Sequence, residues 1–162
     1  MRARFLELLT ALDEAGLDLV VVGGVAAVLE GAPITTLDLD VVYPVDEETL
    51  RRLAIILRRL DTVYRDPAGR KIEPTIERLR QNRINLLETR LGLLDAMQQI
   101  GPGWRYAEVL ERSHPVDLGD LRVRVLDLEA VIESKEAAGR EKDLAMLPVL
   151  RRTLQMIRER EA

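Results

Sequence analysis

The chain has no cysteine, a single histidine and only 3% aromatic residues. Without cysteine there are no disulfides, no thiolate metal sites and no thiol nucleophiles. One histidine is a poor basis for a zinc hydrolase or a Ser-His-Asp machine. No stretch approaches 18 uncharged apolar residues, so no membrane span is expected. Basic residues are not in excess either: 24 Lys and Arg face 28 Asp and Glu, a formal net charge of −4 with a pI near 5.2. That balance argues against a protein whose main task is to hold duplex nucleic acid by neutralising phosphates.

What is present describes a folded globular chain. Hydrophobic residues make up 47% of the 162 positions and charged residues 32%, without repeats or low-complexity runs. This length buries about 68–70% of the surface that the unfolded chain exposes. One domain over residues 1–162 is expected, its C-terminal segment 127–162 helical, in a cytoplasmic protein. The first residues, MRARFLELLTALDEAG, carry Glu7, Asp13 and Glu14 within an apolar pattern, which reads as an amphipathic helix and not a leader peptide.

Periodicity outlines the elements. Phe5, Leu8, Leu9 and Leu12 fall at helical spacing before Gly16. Leu17 to Val22 is a short branched run that reads as a buried strand, stopped by a tight turn at Gly23-Gly24. A short helix follows until Gly31 and Pro33, and TTLDLDVVY alternates as a strand before Pro44. Asp46 is placed to cap a helix with its core stripe at Leu50, Leu53, Ala54, Leu57 and Leu60, its paired arginines 51-52 and 58-59 forming a solvated face. Residues 61–73 read as an exposed loop, and Pro74 as the start of a short helix to about Gln81. Two strands then flank a turn near Arg90 to Gly92, the second running to about Gly101. A helix with Trp104 and Tyr106 at its start, a hairpin around Gly119-Asp120 and a helical tail broken at Gly139, with Pro148 as a kink or restart, complete the chain. His114 reads as an ordinary surface or packing residue. Strands and helices mix without a strict βαβ rhythm, so the expected class is α/β (α+β) with a mixed sheet flanked by helices.

The chemistry is concentrated in VVVGGVAAVLEGAPITTLDLDVVYP, Val20 to Pro44. Alternate residues of a strand share a face, so Asp38 and Asp40 point one way while Leu37, Leu39 and Val41 point the other. Two carboxylates about 4 Å apart repel by about 1 kcal/mol in water and about 4 kcal/mol at an effective dielectric near 20. They need a cation, a proton or full exposure to solvent. Magnesium or manganese suits oxygen donors of this kind. Glycine lets backbone N–H groups approach a phosphate, and a helix N-terminus adds favourable dipole. Each signal alone is weak: the aspartates could be a wet edge strand, the glycines a plain turn. Together they support a metal–phosphate site.

Gly23-Gly24, thirteen intervening residues and then Asp38-Leu39-Asp40 resemble the signature of the nucleotidyltransferase superfamily with the polymerase-beta-like fold. GLLD, Gly92 to Asp95, and SKEAAGREKD, Ser134 to Asp143, are similar to segments of small prokaryotic members, some related to toxin–antitoxin systems. The resemblance implies that Asp38, Asp40 and a third acid on a later strand bind Mg²⁺ or Mn²⁺ and carry the catalysis. Asp95 is the candidate for the third acid, with Glu88 as its competitor. It also implies that Gly23 and Gly24 receive the phosphates of a nucleoside triphosphate, and that Lys135, which falls on an otherwise apolar helix stripe, reaches the triphosphate or pairs with a site carboxylate. The implied reaction moves a nucleoside monophosphate to a hydroxyl of a small molecule, a tRNA end or a protein. A nucleotide- or partner-binding module without catalysis, or one half of a toxin–antitoxin pair with a partner protein, is the alternative. Arg140 and Asp143 are placed to form a supporting ion pair.

Overall fold

The computed structural model describes residues 4–162. Seven strands form a mixed sheet: β1 (Val20–Val22), β2 (Asp38–Val42), β3 (Val63–Tyr64), β4 (Ile84–Thr89), β5 (Gly92–Met97), β8 (Ser113–Leu118) and β9 (Leu121–Leu126). Their spatial order is β3-β4-β5-β2-β1-β9-β8. The central pairs β2–β5 and β1–β9 are parallel, and the remaining pairs are antiparallel. β6 (Gln99–Ile100) and β7 (Trp104–Arg105) make a separate short ribbon. No described helix is long and apolar enough to cross a membrane.

The helices are α1 (Phe5–Glu14), α2 (Gly23–Leu29), α3 (Glu47–Arg59), α4 (Ile76–Gln81), α5 (Tyr106–Glu111), α6 (Leu128–Ala138) and α7 (Glu141–Glu161). Their ends follow local chemistry. Asp46 caps α3, its carboxylate accepting from the Thr49 backbone N–H at 2.8 Å. α4 opens at Ile76, capped by the Thr75 hydroxyl, two residues later than Pro74. Gly139 ends α6 at a φ of +64° that a branched residue would resist. Pro148 lies inside a continuous α7.

The sheet is two-faced where it matters for function. Along β2, β5 and β4 one face buries Leu39, Val41, Leu94, Ala96 and Leu87. Buried on the same side, Asn85 is bonded through its amide to the Tyr43 hydroxyl at 3.2 Å and Ala96 O at 3.1 Å, and accepts from the Tyr64 hydroxyl at 2.6 Å. Tyr43 in turn donates to Leu79 O at 2.8 Å, and Gln98 donates to the same carbonyl at 2.8 Å, which ties α4 to the sheet. The opposite face carries Asp38, Asp40, Asp95, Leu86 and Ile84 and stays partly open.

Three local expectations are corrected. The glycine pair is not a turn before a helix but the first two residues of α2, with Gly23 at a φ of +63°. The loop expected over residues 61–73 begins with edge strand β3, because Val63 and Tyr64 pair with Glu88 and Leu87. The strand expected to reach Gly101 stops at Met97, and Gln99–Ile100 turns away to pair with β7.

Candidate active site

Pairing across the sheet sets the geometry of the acids. β2 and β5 run parallel with Asp40 directly beside Asp95, and β1 places Val22 on the other side of Asp40. One carboxylate oxygen from each of Asp38, Asp40 and Asp95 lies within 4.8 Å of the other two. Glu88, the competitor, pairs with Leu93 further along the sheet and is outside this cluster. Gly23 follows Val22, and there is no room there for a side chain: a Cβ would sit 2.1 Å from Asp40 Oδ2.

Three carboxylates this close are unstable as a fully charged set. Burial, then the charges of Asp95 and Asp38, push the Asp40 carboxyl up to about 8, against a smaller opposing pull from Lys135. Burial also raises Asp95, with the nearby Arg65 opposing the shift. Asp40 Oδ1 is buried and has no hydrogen-bond partner among the described residues. An orphaned oxygen among hard oxygen donors fits a magnesium or manganese ion, which would supply the missing positive charge and coordinate that atom.

Asp40 and Asp95, but not Asp38, line a cleft of about 410 Å³ whose walls also include Gly23, Lys135, Arg140 and Asp143. Lys135 lies on the inner side of α6, its Nζ 3.4 Å from Asp143 Oδ1, and Arg140 Nε donates to Asp143 Oδ2 at 2.7 Å. Burial pushes the Asp143 carboxyl up, but these two cations outweigh it and hold it below the ordinary carboxylate range. Gly24 is buried instead against Thr36, whose Oγ1 would be 2.7 Å from an added Cβ, and does not line the cleft.

No family model matches the sequence, and no curated protein matches it. Solved structures do match in three dimensions. The antibiotic-resistance factor ANT(2'')-Ia is 19% identical over 93% of this chain and 82% of its own, with a TM-score of 0.59. The lincosamide antibiotic adenylyltransferase LnuA, with lincomycin bound, is 12% identical over 91% of this chain and 94% of its own, with a TM-score of 0.60. A nucleotidyltransferase candidate from Thermotoga maritima is 16% identical over 94% and 91%, with a TM-score of 0.53. The chain has the nucleotidyltransferase fold.

Within that fold the site holds one group that sequence reasoning missed. Arg65, just past β3, makes an ion pair with Asp95 Oδ1 and lies 3.5 Å from Asp38 Oδ2. In the sequence it is one arginine of several in a stretch with Pro67 and Gly69, with no period to give it a face. Elsewhere, His114 and Trp104 lie in contacts of their own, away from the acids. His114 bridges Asp127, at 2.6 Å, and Glu30, and the Trp104 ring lies under the Arg112 guanidinium at 4.7 Å.

Proposed function

We propose that the protein is a divalent-metal-dependent nucleotidyltransferase that moves a nucleoside monophosphate from a nucleoside triphosphate to an acceptor hydroxyl. The observation that carries this reading is the convergence of Asp38, Asp40 and Asp95 around the orphaned Asp40 oxygen, in a fold shared with adenylyltransferases of antibiotics. These three residues would hold Mg²⁺ or Mn²⁺, which would neutralise phosphate charge at the reacting phosphorus.

The residues divide the work by their order across the sheet. Gly23, Asp40 and Asp95 stand in that sequence from β1 to β5, so phosphates bound at the Gly23 end leave the acceptor at the Asp95 end. Lys135 faces the same cleft and offers its ammonium to the phosphates, while Asp143 and Arg140 hold its position. Asp95 takes the proton of the acceptor hydroxyl as that oxygen bonds to the α-phosphorus and pyrophosphate leaves. On the same face, Leu86 beside Asp95 is 46% exposed and Ile84 beside Met97 is 56% exposed. They form an apolar shelf, suited to the uncharged face of an acceptor. A small-molecule acceptor is the reading that the antibiotic-modifying neighbours support.

Isothermal titration with ATP, CTP, GTP and UTP in the presence of Mg²⁺ tests the proposal. Binding of at least one, lost in Asp40→Asn, is expected. Well-folded protein that binds none of the four overturns it.

One observation favours a second reading, a nucleotide- or partner-binding module without catalysis. Arg65 already pairs with two of the three acids, standing where a metal would. Manganese binding by the unaltered protein separates the two readings.

A further inference from the structure

Arg65 belongs to the acid site by construction of the sheet. Its backbone N–H donates to Leu86 O at 3.0 Å, extending the β3–β4 ladder by one residue. Leu86 pairs with Asp95, and Asp95 with Asp40. Arg65, Leu86, Asp95 and Asp40 therefore form one row across four strands, with their side chains on one face. The guanidinium crosses over Leu86 to reach Asp95 and Asp38.

Among the described residues, no other group hydrogen-bonds the guanidinium. Arg65 Nε is buried without a partner among them, and its two Nη atoms bond Asp38 and Asp95 alone. The residues that follow close on themselves: Asp66 accepts from the Arg70 backbone N–H at 2.9 Å and from Arg70 Nε at 2.8 Å. A permanent structural arginine at this depth has more of its five donors satisfied. Arg124, by comparison, is held through Nε by Ser113 Oγ at 3.1 Å and through Nη2 by Ser113 O at 2.7 Å and Leu110 O at 3.4 Å. The Arg65 guanidinium and a divalent ion also need the same oxygens, and as like charges they exclude one another.

We propose that Arg65 is a positioning residue of the acid site: a resident counter-cation that holds Asp38 and Asp95 together while no metal is bound and releases them when the divalent ion enters. The proposal rests on the nucleotidyltransferase reading of the same acids. It makes metal binding an exchange of cations, weaker than the acids alone would give.

The test is Mn²⁺ affinity, read from the electron paramagnetic resonance of free Mn²⁺, for the unaltered protein, R65A and R65K, each with and without a nonhydrolysable ATP analogue. R65A is expected to bind Mn²⁺ at least tenfold more tightly than the unaltered protein, with R65K in between. Metal-free R65A should melt at a lower temperature and gain more from Mn²⁺. Equal affinity in all three, or weaker binding in R65A, overturns the role of Arg65 and leaves the nucleotidyltransferase reading standing. Mn²⁺ binding by R65A but not by the unaltered protein also overturns it, since the arginine is then a permanent substitute for metal. The expected rank order with no analogue bound at any Mn²⁺ concentration supports the cation exchange and sinks the nucleotidyltransferase reading. No Mn²⁺ binding by any of the three sinks both. Should R65A fail to fold, the comparison with R65K alone decides: tighter binding by R65K supports the exchange, equal or weaker binding overturns it.

Discussion

Gly23 lies directly against the Asp40 carboxylate, so close that a Cβ at position 23 would stand 2.1 Å from Oδ2 and 2.9 Å from Cγ. The glycine makes room for the acid before it does anything for a ligand. Gly23→Ala must therefore move Asp40 and also hold an alanine at a φ of +63°, which alone costs roughly 1–2 kcal/mol. We expect a loss of that size or more in urea unfolding. Mn²⁺ affinity should fall about tenfold, equivalent to about 1.4 kcal/mol. Unchanged Mn²⁺ affinity in a folded variant would show that Asp40 is not needed in its present place.

The pH dependence of the metal-free protein should report Asp40. Its carboxyl rises from an ordinary value of 3.8 to about 8 on folding, so the folded chain holds a proton that the unfolded chain releases. Its contribution to stability is complete below about pH 4 and is lost as pH climbs towards about 8. The melting temperature should fall across this window in a chelated sample, and Asp40→Asn should flatten the fall. Mn²⁺ affinity should rise over the same range, because the ion displaces the proton. A melting temperature that is level from pH 5 to 8 in the unaltered protein would contradict the assignment.

Lys135 is the cleft cation whose charge lowers the Asp40 carboxyl. Lys135→Met keeps the length of the side chain on α6 and removes the charge. Triphosphate affinity measured by calorimetry should drop about tenfold, or about 1.4 kcal/mol. The midpoint of the Asp40 titration should move further up. Loss of binding without that movement would place Lys135 away from the acids in solution.

Asn85 provides a control on the covered face of the sheet. It is 0% exposed, and Asn85→Ala leaves Ala96 O without its amide donor and the Tyr64 hydroxyl without its acceptor. Stability should fall by about 1–3 kcal/mol for each group left unsatisfied. Mn²⁺ affinity of the folded variant should not change, since the acids lie on the opposite face. A parallel loss of affinity would show that the two faces are coupled.

Much of the site was legible residue by residue. The period of two in TTLDLDVVY puts Asp38 and Asp40 on one face without reference to anything distant, and the observed β2 keeps them there. The apolar run before Gly23 marked a buried strand, and Lys135 on the stripe of Leu128, Val131 and Ile132 marked a helix position facing inward, which the structure shows as half-buried beside Asp143. The buried polar group of Tyr43, Asn85, Tyr64 and Gln98 was not legible, because each bond joins residues far apart in the chain. Nor was Arg65, which follows a strand only two residues long that exists through its pairing with β4.

Local rules alone thus determined that two aspartates share a strand face and that a glycine ends the strand before them, since both depend on backbone geometry over a few residues. Tertiary structure alone decided that Asp95 stands beside Asp40 in register, that Glu88 lies elsewhere, that Gly23 touches Asp40 and not merely a turn, and that Arg65 closes the row. Register between strands is set by burial of Leu39, Leu94 and Leu87 on the far face of the sheet, and a shift of one residue would send every acid to that face.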